Sequence, residues 1–169
     1  MIVTVFKDRA AFELAEYDMP WLDLVGWTKD PPVAATKEAL PLIKLARLGQ
    51  RRSKRGSLRH DRNILAVSGI EGDYDGEQMP PERAAAMLGA AGLRAVVYTS
   101  PKHRPEAPRW RVLAPLTCEF EPEHRRGFVE RLNGALGGVL SVESFTLSQA
   151  FYFGRVEGVT YEVWPTLTN

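Results

Sequence analysis

Apolar and polar positions alternate over several short stretches of the chain and recur at helical spacing in others. Apolar runs predict β-strands at 2–6, 64–70, 94–100, 109–116, the end of 140–154 and 160–164. Helical spacing and end signals predict helices at 8–17, 36–49, 81–91 and 121–136. Residues 21–35 are predicted to form a loop. Strands mixed with helices, with an antiparallel pair at 94–116, indicate an α+β fold: a mixed, largely antiparallel sheet with packed helices.

The composition is that of one ordinary globular domain. The chain has 169 residues, of which 44% are hydrophobic and 25% charged. No apolar run approaches the roughly 20 residues that span a bilayer, and the acidic start lacks the apolar core of a signal peptide, so no membrane association is expected. A lone cysteine, Cys118, excludes an internal disulfide and a multi-cysteine zinc site. These features favour a cytoplasmic setting.

Positive charge is concentrated in one segment, 49–62, which we call the basic arm. It carries six basic side chains and one acid, although the whole chain has a net charge of only +1. The segment is either a solvated loop or a binding site for phosphate groups of nucleotides or nucleic acid. Its basic residues are Arg51, Arg52, Lys54, Arg55, Arg59 and Arg62.

Two aspartates follow the predicted strand 64–70. Asp73 and Asp75 are two positions apart, so on an extended backbone their carboxylates project from the same face. Gly72 and Gly76 bracket them and let other backbone approach. Paired carboxylates suit Mg²⁺, which takes oxygen ligands from one or two carboxylates, phosphates and water. The same residues also suit an acidic turn.

Polar side chains also gather around the predicted loop at 100–108. Ser100, Lys102 and His103 follow one strand, and Arg109 and Arg111 share one face of the next. A hydroxyl, an ammonium, an imidazole and two guanidinium groups would form a receptor for phosphate groups. Taken singly, His103 reads as an exposed loop histidine and the arginines as the solvent face of an edge strand.

Three elements, in this order, resemble the archaeo-eukaryotic primase (primase–polymerase) superfamily. They are the D-x-D pair Asp73 and Asp75, the stretch "PKH" that ends in His103, and "VE", Val142 and Glu143. The wider text over about 36–155, including "GSLRHDRNILAVSGIEGDYDG" and "ESFTLSQAFYFGR", resembles primase-like domains of phages, plasmids and mobile elements. One departure is Lys102, which stands where the family has a small or hydroxyl residue.

The resemblance implies an RRM-like sheet unit packed with an α/β unit. It implies a single catalytic domain over 1–169, with an N-terminal α/β part at 1–62 and a catalytic core at 63–169. It further implies that this domain forms the N-terminal part of a longer primase–helicase protein. A helicase domain or subunit is then an expected partner, inside a bacterial or phage-infected cell.

The resemblance also implies roles for individual residues. Asp73, Asp75 and Glu143 would hold two Mg²⁺ or Mn²⁺ ions, and His103 would contact the triphosphate of the incoming nucleotide. Its phosphate neighbours would be Ser100, Lys102, Arg109 and Arg111. The implied activity is template-directed nucleotidyl transfer that makes or extends primers on single-stranded DNA from nucleoside triphosphates. The basic arm would bind the template backbone through Arg51, Arg52, Lys54, Arg55 and Arg59.

Other functions fit part of this pattern. A non-catalytic module that binds single-stranded nucleic acid would need only the basic arm, and a metal-dependent nuclease would use the same three acids. His60, His103 and His124 lack the His-x-His spacing of a rolling-circle nickase. The chain has no G-x-x-x-x-G-K-[ST] motif, so it carries no ATPase motor of that type.

Overall fold

A computed structural model describes residues 1–167 and contains three α-helices and eleven β-strands over that range. The helices are α1 (Trp21–Lys29), α2 (Pro81–Ala90) and α3 (Arg125–Ala135). The strands are β1 (Ile2–Phe6), β2 (Leu14–Asp18), β3 (Val33–Ala34), β4 (Leu42–Lys44), β5 (Ala46–Leu48), β6 (Ile64–Tyr74), β7 (Ala95–Thr99), β8 (Trp110–Phe120), β9 (Phe151–Tyr152), β10 (Arg155–Val156) and β11 (Val163–Thr166).

The strands form two main sheets. The larger has the order β11-β7-β8-β6-β5 and the smaller β2-β1-β4-β9, and all pairs in both are antiparallel. A short parallel pair, β10-β3, lies apart from them. This confirms the expected α+β fold with a mixed, largely antiparallel set of strands. No helix within residues 1–167 is long and apolar enough to cross a bilayer.

The larger sheet buries both of its faces. One face packs on α2 and α3 through a cluster that includes Ile70, Trp110 and Val112. The other face packs on the smaller sheet and α1, with Leu113 of β8 against Ile43 and its neighbours. Residues opposite each other in an antiparallel pair project from one face. Asp73 of β6 is therefore directed, with its partner Arg111 of β8, toward the smaller sheet.

Three predictions in the N-terminal third were wrong. The predicted helix at 8–17 is a turn followed by β2, because the Asp8 carboxylate accepts the backbone N–H groups of Ala10 and Ala11. The predicted loop at 21–35 contains α1. This helix buries Trp21, Leu24, Val25 and Thr28. The spacing is helical, but it was missed because one of the four buried residues is a polar threonine.

The predicted helix at 36–49 is a 3₁₀ turn (Lys37–Ala39) followed by β4 and β5. Both strands lie between covered faces, so nearly all of their residues are buried and the spacing carries no period of two. Lys44 is fully buried there. The start of α2 at Pro81 and the strands β1, β7 and β8 were predicted correctly.

Candidate functional site

Asp73 and Asp75 lie at the end of β6, the strand next to the centre of the larger sheet. Asp73 is 7% exposed, whereas Asp75 follows the strand and is exposed. Arg111 Nε donates to Asp73 Oδ1 over 2.7 Å, and Arg111 Nη1 donates to the carbonyl of Tyr152. Arg111 therefore ties β8, β6 and β9 together beside the two acids.

The turn that carries Glu143 is fixed directly to β6. The backbone N–H of Ser141 donates to the carbonyl of Asp73 over 2.8 Å. The backbone N–H of Asp73 donates to Ser144 Oγ over 3.0 Å. The first bond is made just before the 3₁₀ turn Val142–Phe145 and the second within it, and together they hold the turn against the strand. Glu143 thereby lines the same cavity as Asp73 and Asp75.

A buried ionic cluster stabilises the packing of β6 against the turn of Glu143. The Glu71 carboxylate accepts Lys44 Nζ at 2.8 Å, Arg125 Nη2 at 2.9 Å and the N–H of Leu45. Arg125 Nη1 also donates to the carbonyl of Ser144 at 2.9 Å, so α3 is bound to the turn of Glu143. Burial alone would raise the pKa of Glu71, but Lys44 and Arg125 outweigh it and hold that pKa below its usual value. Burial lowers the pKa of Lys44 to about 8.

The three acids face a cavity of about 500 Å³ between the two sheets. Glu38 is a fourth acid in its lining, and four basic side chains also line it. They are Arg9, Lys37, Arg59 and Arg111. A cavity of this size, lined by both acids and cations, suits a polyphosphate accompanied by a divalent cation.

The loop after β7 places a second group of polar side chains beside the acids. His103 is 6% exposed and its Nδ1 accepts the backbone N–H of Arg109 over 3.2 Å. The backbone N–H of His103 in turn donates to the carbonyl of Ser100 over 2.9 Å. With Nδ1 accepting, the neutral imidazole carries its hydrogen on Nε2, so this nitrogen is the donor that remains for a ligand.

The loop after β7 and the two aspartates line a common cavity. A cavity of about 70 Å³ is lined by Ser100, Lys102 and Arg109 as well as by Asp73 and Asp75. The next cavity along, of about 360 Å³, is lined by Lys102, Arg109 and His103. Ser100, Lys102 and Arg109 therefore adjoin the acids, and His103 lies one cavity further away. Arg109 is itself engaged, because its guanidinium contacts Asp75 at 3.2 Å and Glu77 at 2.5 Å.

Burial and neighbouring charges shift the pKa of one acid and one base in the site. Burial raises the pKa of Asp73, Arg111 opposes that rise, and the neighbouring Asp75 adds to it. Burial also lowers the pKa of the Lys37 ammonium, helped by Arg111 and Lys102. Both shifts mark a site where like charges crowd together at low hydration.

The donor set at the acids suits a hard divalent cation, although it does not form a closed cage. Carboxylate oxygens from β6 and from the turn of Glu143 are ligands that Mg²⁺ and Mn²⁺ accept, with phosphate and water completing the shell. Within residues 1–167 no group of three acid, histidine or cysteine side chains lies close enough to hold a metal by itself. Asp73 is instead neutralised by Arg111.

The basic arm is a folded loop and not a free tail. Asn63 is buried, its Nδ2 donates to the carbonyls of Gly49 and Leu58, and its Oδ1 accepts the N–H of Arg51. Arg52 donates to the carbonyls of Phe12 and Gly56. None of the six basic side chains forms an ion pair with a described residue, and four of them also donate no side-chain hydrogen bond to one. They are Arg51, Lys54, Arg55 and Arg62.

The arm also reaches the acids. It lines a cavity of about 650 Å³ together with Thr146 and Ser148, which follow the turn of Glu143. Arg59 lines both this cavity and the cavity of the acids. Its guanidinium donates to the carbonyl of Arg9 over 3.4 Å, and burial, then Arg9, lower its pKa. A basic groove therefore leads from the arm to the acids.

Sequence reasoning missed the residues that assemble the site from outside its motifs. Lys37, Lys44, Glu71 and Arg125 were not singled out. Glu71 carried a signal, since it continues the alternation of Asp73 and Asp75 by one more step along the same strand. Lys37 and Arg125 carried none, because their position depends on contacts between distant elements.

Comparison with known proteins gives one likeness of fold. No known family profile matches this chain, and no curated protein matches it. The solved AEP domain of the cyanophage S-2L primase–polymerase (PrimPol) is similar in structure, with a TM-score of 0.52 and 12% sequence identity, and the match covers 99% of this chain and 82% of that one. At this identity the likeness concerns the fold alone: the chain has an α+β fold similar to that of a phage primase–polymerase domain.

Proposed function

We propose that this chain is a template-directed nucleotidyl transferase, a primase or primase–polymerase that acts on single-stranded DNA. One observation carries the proposal. The neighbouring Asp73 and Asp75 line one cavity of about 500 Å³ together with Glu143, which is distant from them in the chain, and this cavity shares its wall with the one lined by Ser100 and Lys102. The likeness of the fold to a phage primase–polymerase domain supports it.

The chemistry assigns a role to each group. Asp73, Asp75 and Glu143 would hold Mg²⁺ or Mn²⁺, which when bound activates the attacking hydroxyl and offsets charge on the leaving phosphates. His103 would donate from Nε2 to the triphosphate, and Ser100, Lys102, Arg109 and Arg111 would orient its oxygens. Arg111 would also keep Asp73 ionised and ready to bind a cation.

The basic arm would bind the template strand. Arg51, Lys54 and Arg55 carry charges that no acid within residues 1–167 neutralises. Arg59 continues the positive surface to the acids. Phosphate contacts of this kind hold a strand without reading its sequence, and base pairing would then select the nucleotide. Because the sequence has no nucleotide-hydrolysis motif of the P-loop type, opening of a duplex would fall to a helicase partner.

A primer synthesis assay tests the proposal. The protein is incubated with labelled ribo- or deoxynucleotides, Mg²⁺ or Mn²⁺, and single-stranded template, with and without a primer. We expect polymer from the wild type and none from Asp73→Asn or Glu143→Gln, with Glu157→Gln, an exposed acid outside the cavity, as the matched control. Absence of product with every nucleotide, metal and template would refute the proposal.

A second candidate is a non-catalytic module that binds single-stranded nucleic acid. The observation in its favour is that Asp73 is paired with Arg111 and that no three ligands converge within residues 1–167. In the same assay this module would bind the template tightly yet make no product. A nuclease would instead shorten the labelled template in a metal-dependent manner, and the products therefore separate the three functions.

A further inference from the structure

Lys37 occupies a place in the site that no motif indicates. It begins the 3₁₀ turn Lys37–Ala39, just before β4. β4 pairs with β9 in the register Leu42 to Tyr152, which brings the turn over the cavity of the acids. The ammonium of Lys37 lies 5.1 Å from the centroid of the Tyr152 ring. The Lys37 side chain is half-buried, and it packs over the Tyr152 ring.

Lys37 belongs to the wall between two cavities. Four residues line both the cavity of about 500 Å³ and that of about 70 Å³: Lys37, Asp73, Asp75 and Arg111. Two of them are the acids and one is the partner of Asp73. Lys37 is the fourth, and it forms no ion pair with any residue in 1–167.

The environment of Lys37 calls for an anion. Burial, then Arg111 and Lys102 on the same wall, lower the pKa of its ammonium, and Asp73 and Asp75 only partly oppose them. Its contact with the face of Tyr152 is worth only about 0.5–1 kcal/mol at an exposed site. Arg111 already pairs with Asp73, and under the proposed function a metal would engage both acids. The half-buried ammonium is then best satisfied by a ligand that brings further negative charge, and phosphate supplies it in the most concentrated form.

We propose that Lys37 is a catalytic residue that contacts the α-phosphate of the bound nucleoside triphosphate, an inference that rests on the proposed function. The reacting phosphorus must lie against Asp73 and Asp75, where the metal would be held. The small cavity leads from there to Lys102 and on to His103, which accounts for the outer phosphates. The α-phosphate then falls at the shared wall, within reach of the Lys37 ammonium.

In this step the 3′-oxygen forms a bond to the α-phosphorus while the bond from that phosphorus to the bridging oxygen of pyrophosphate breaks. The hydroxyl proton passes to water, and Lys37 keeps its own proton throughout. Its ammonium donates to a non-bridging oxygen, on which charge changes as the transition state forms. Such a contact is strongest in the transition state, so its loss lowers kcat more than it raises KM.

Single-turnover incorporation by Lys37→Met, Lys37→Arg and the control Lys7→Met tests the proposal. Methionine keeps the packing over Tyr152 and removes the charge, and Lys7 is a lysine on the surface whose side chain is 72% exposed. We expect Lys37→Met to lower kcat by about a hundredfold, Lys37→Arg to retain an intermediate rate, and Lys7→Met to match the wild type. Thermal unfolding should be alike in all four proteins.

A sulfur substitution locates the contact. Each diastereomer of an α-thiotriphosphate replaces one non-bridging oxygen by sulfur, which accepts hydrogen bonds weakly. In the wild type one diastereomer should react more slowly for this reason, and in Lys37→Met that difference should shrink. A structural role for Lys37 would change the rate without changing the preference between diastereomers.

Binding of a non-hydrolysable triphosphate analogue separates this inference from the proposed function. If the wild type makes polymer and Lys37→Met matches it, the role of Lys37 is refuted and the function stands. If the wild type makes no polymer but binds the analogue more tightly than Lys37→Met does, the function fails and the phosphate contact stands. If the wild type makes no polymer and the two proteins bind the analogue equally, or neither binds it, both are refuted.

Discussion

Arg111 and Asp73 face each other across β8 and β6, with Arg111 Nε 2.7 Å from Asp73 Oδ1 and both side chains less than a tenth exposed. The pair lies at the place where the larger sheet, the smaller sheet and the turn of Glu143 meet. Because Arg111 also donates to the carbonyl of Tyr152, the cation is held even if the acid turns toward a ligand. The arrangement places a carboxylate and its cation together within a mostly buried wall.

The Asp73 carboxyl should leave a signature in the pH dependence of stability. Burial, opposed by Arg111, leaves its pKa in the folded protein above the ordinary value of 3.8. An acid with a raised folded pKa stabilises the fold below its unfolded pKa, and this contribution is lost as the pH rises through the folded pKa.

Asp73→Asn keeps an oxygen for Arg111 and removes the titration. The free energy of unfolding of Asp73→Asn, relative to the wild type, should therefore rise with pH from about pH 4 and then level off. Urea unfolding of both proteins across pH 4–8 measures it. A difference that is independent of pH would contradict the shifted pKa.

Glu71 should show the opposite trend. Lys44 and Arg125 outweigh the effect of burial and hold its pKa below the ordinary 4.5, so its stabilisation is present above that value and is lost as the pH falls. Glu71→Gln leaves two buried cations without a charged partner and should cost about 3–5 kcal/mol at neutral pH. Acid unfolding curves should also become less steep in this variant. If stability falls with decreasing pH as steeply in Glu71→Gln as in the wild type, the Glu71 carboxyl is not responsible for that fall.

The link between β6 and the turn of Glu143 can be tested with two serines. Ser144→Ala removes the hydroxyl that accepts the buried N–H of Asp73 and should cost about 1–3 kcal/mol. Ser141→Ala is the matched control, because within residues 1–167 the Ser141 hydroxyl hydrogen-bonds only to Ser144 Oγ, at 3.4 Å, while its backbone makes the bond to Asp73.

Under the proposed function, Ser144→Ala should also lower incorporation more than Ser141→Ala does, since it loosens Glu143. Urea unfolding and a primer extension assay provide the two readouts. Equal effects from both serines would remove the argument that the hydroxyl of Ser144 positions the acid.

His103 should bind nucleotide through Nε2 alone. His103→Asn places an oxygen near the former Nδ1, which keeps an acceptor for the N–H of Arg109, but it removes the outer nitrogen. We expect this variant to fold normally and to show a higher KM for nucleotide, with a smaller change in kcat. Nucleotide titrations beside a melting curve measure both. An unaltered KM would show that the imidazole does not reach the triphosphate.

The basic arm contains two classes of charge. Arg52 and Arg59 hold backbone carbonyls of the fold, so their replacement would confuse binding with stability. Arg51, Lys54 and Arg55 are exposed and free of acids within residues 1–167. These three provide the sharper test of strand binding.

Reversal of these three charges should weaken binding to single-stranded DNA. The slope of log affinity against log salt should fall by about 0.7 for each phosphate contact that is lost. Lys7→Glu compared with Lys54→Glu gives a control at matched charge. A slope that stays the same in the triple variant would return the arm to the status of a solvated loop.

The C-terminal two-thirds of the fold could be predicted from local pattern, whereas in the N-terminal third only β1 could. Helix α2 could be predicted because its sequence carries both a start signal and an apolar face. The start signal is Pro80 and Pro81, and the face is indicated by the spacing of Ala84 and Leu88. β4 and β5 gave no such signal. Their side chains are buried on both faces, and Lys44 reads as a surface residue until Glu71 is known to neutralise it.

The candidate site was predictable where its residues are neighbours in sequence. Asp73 and Asp75 share a face because a strand repeats every two residues, and the loop after β7 gathers its own polar groups. The approach of Glu143 to Asp73 follows from hydrogen bonds between a turn and a strand, which no spacing reveals. The roles proposed for these residues remain predictions until the assays above are done.

The bond from Asp73 to Ser144 spans 71 positions of the chain, and this distance has a consequence during synthesis on the ribosome. At about 5–20 residues per second, β6 emerges several seconds before the turn that completes its cavity. In that interval the nascent chain displays Asp73 and Asp75 without Glu143 and its anchoring turn. Prematurely terminated chains that end before this turn would therefore lack the assembled cavity, whatever their affinity for nucleic acid through the basic arm.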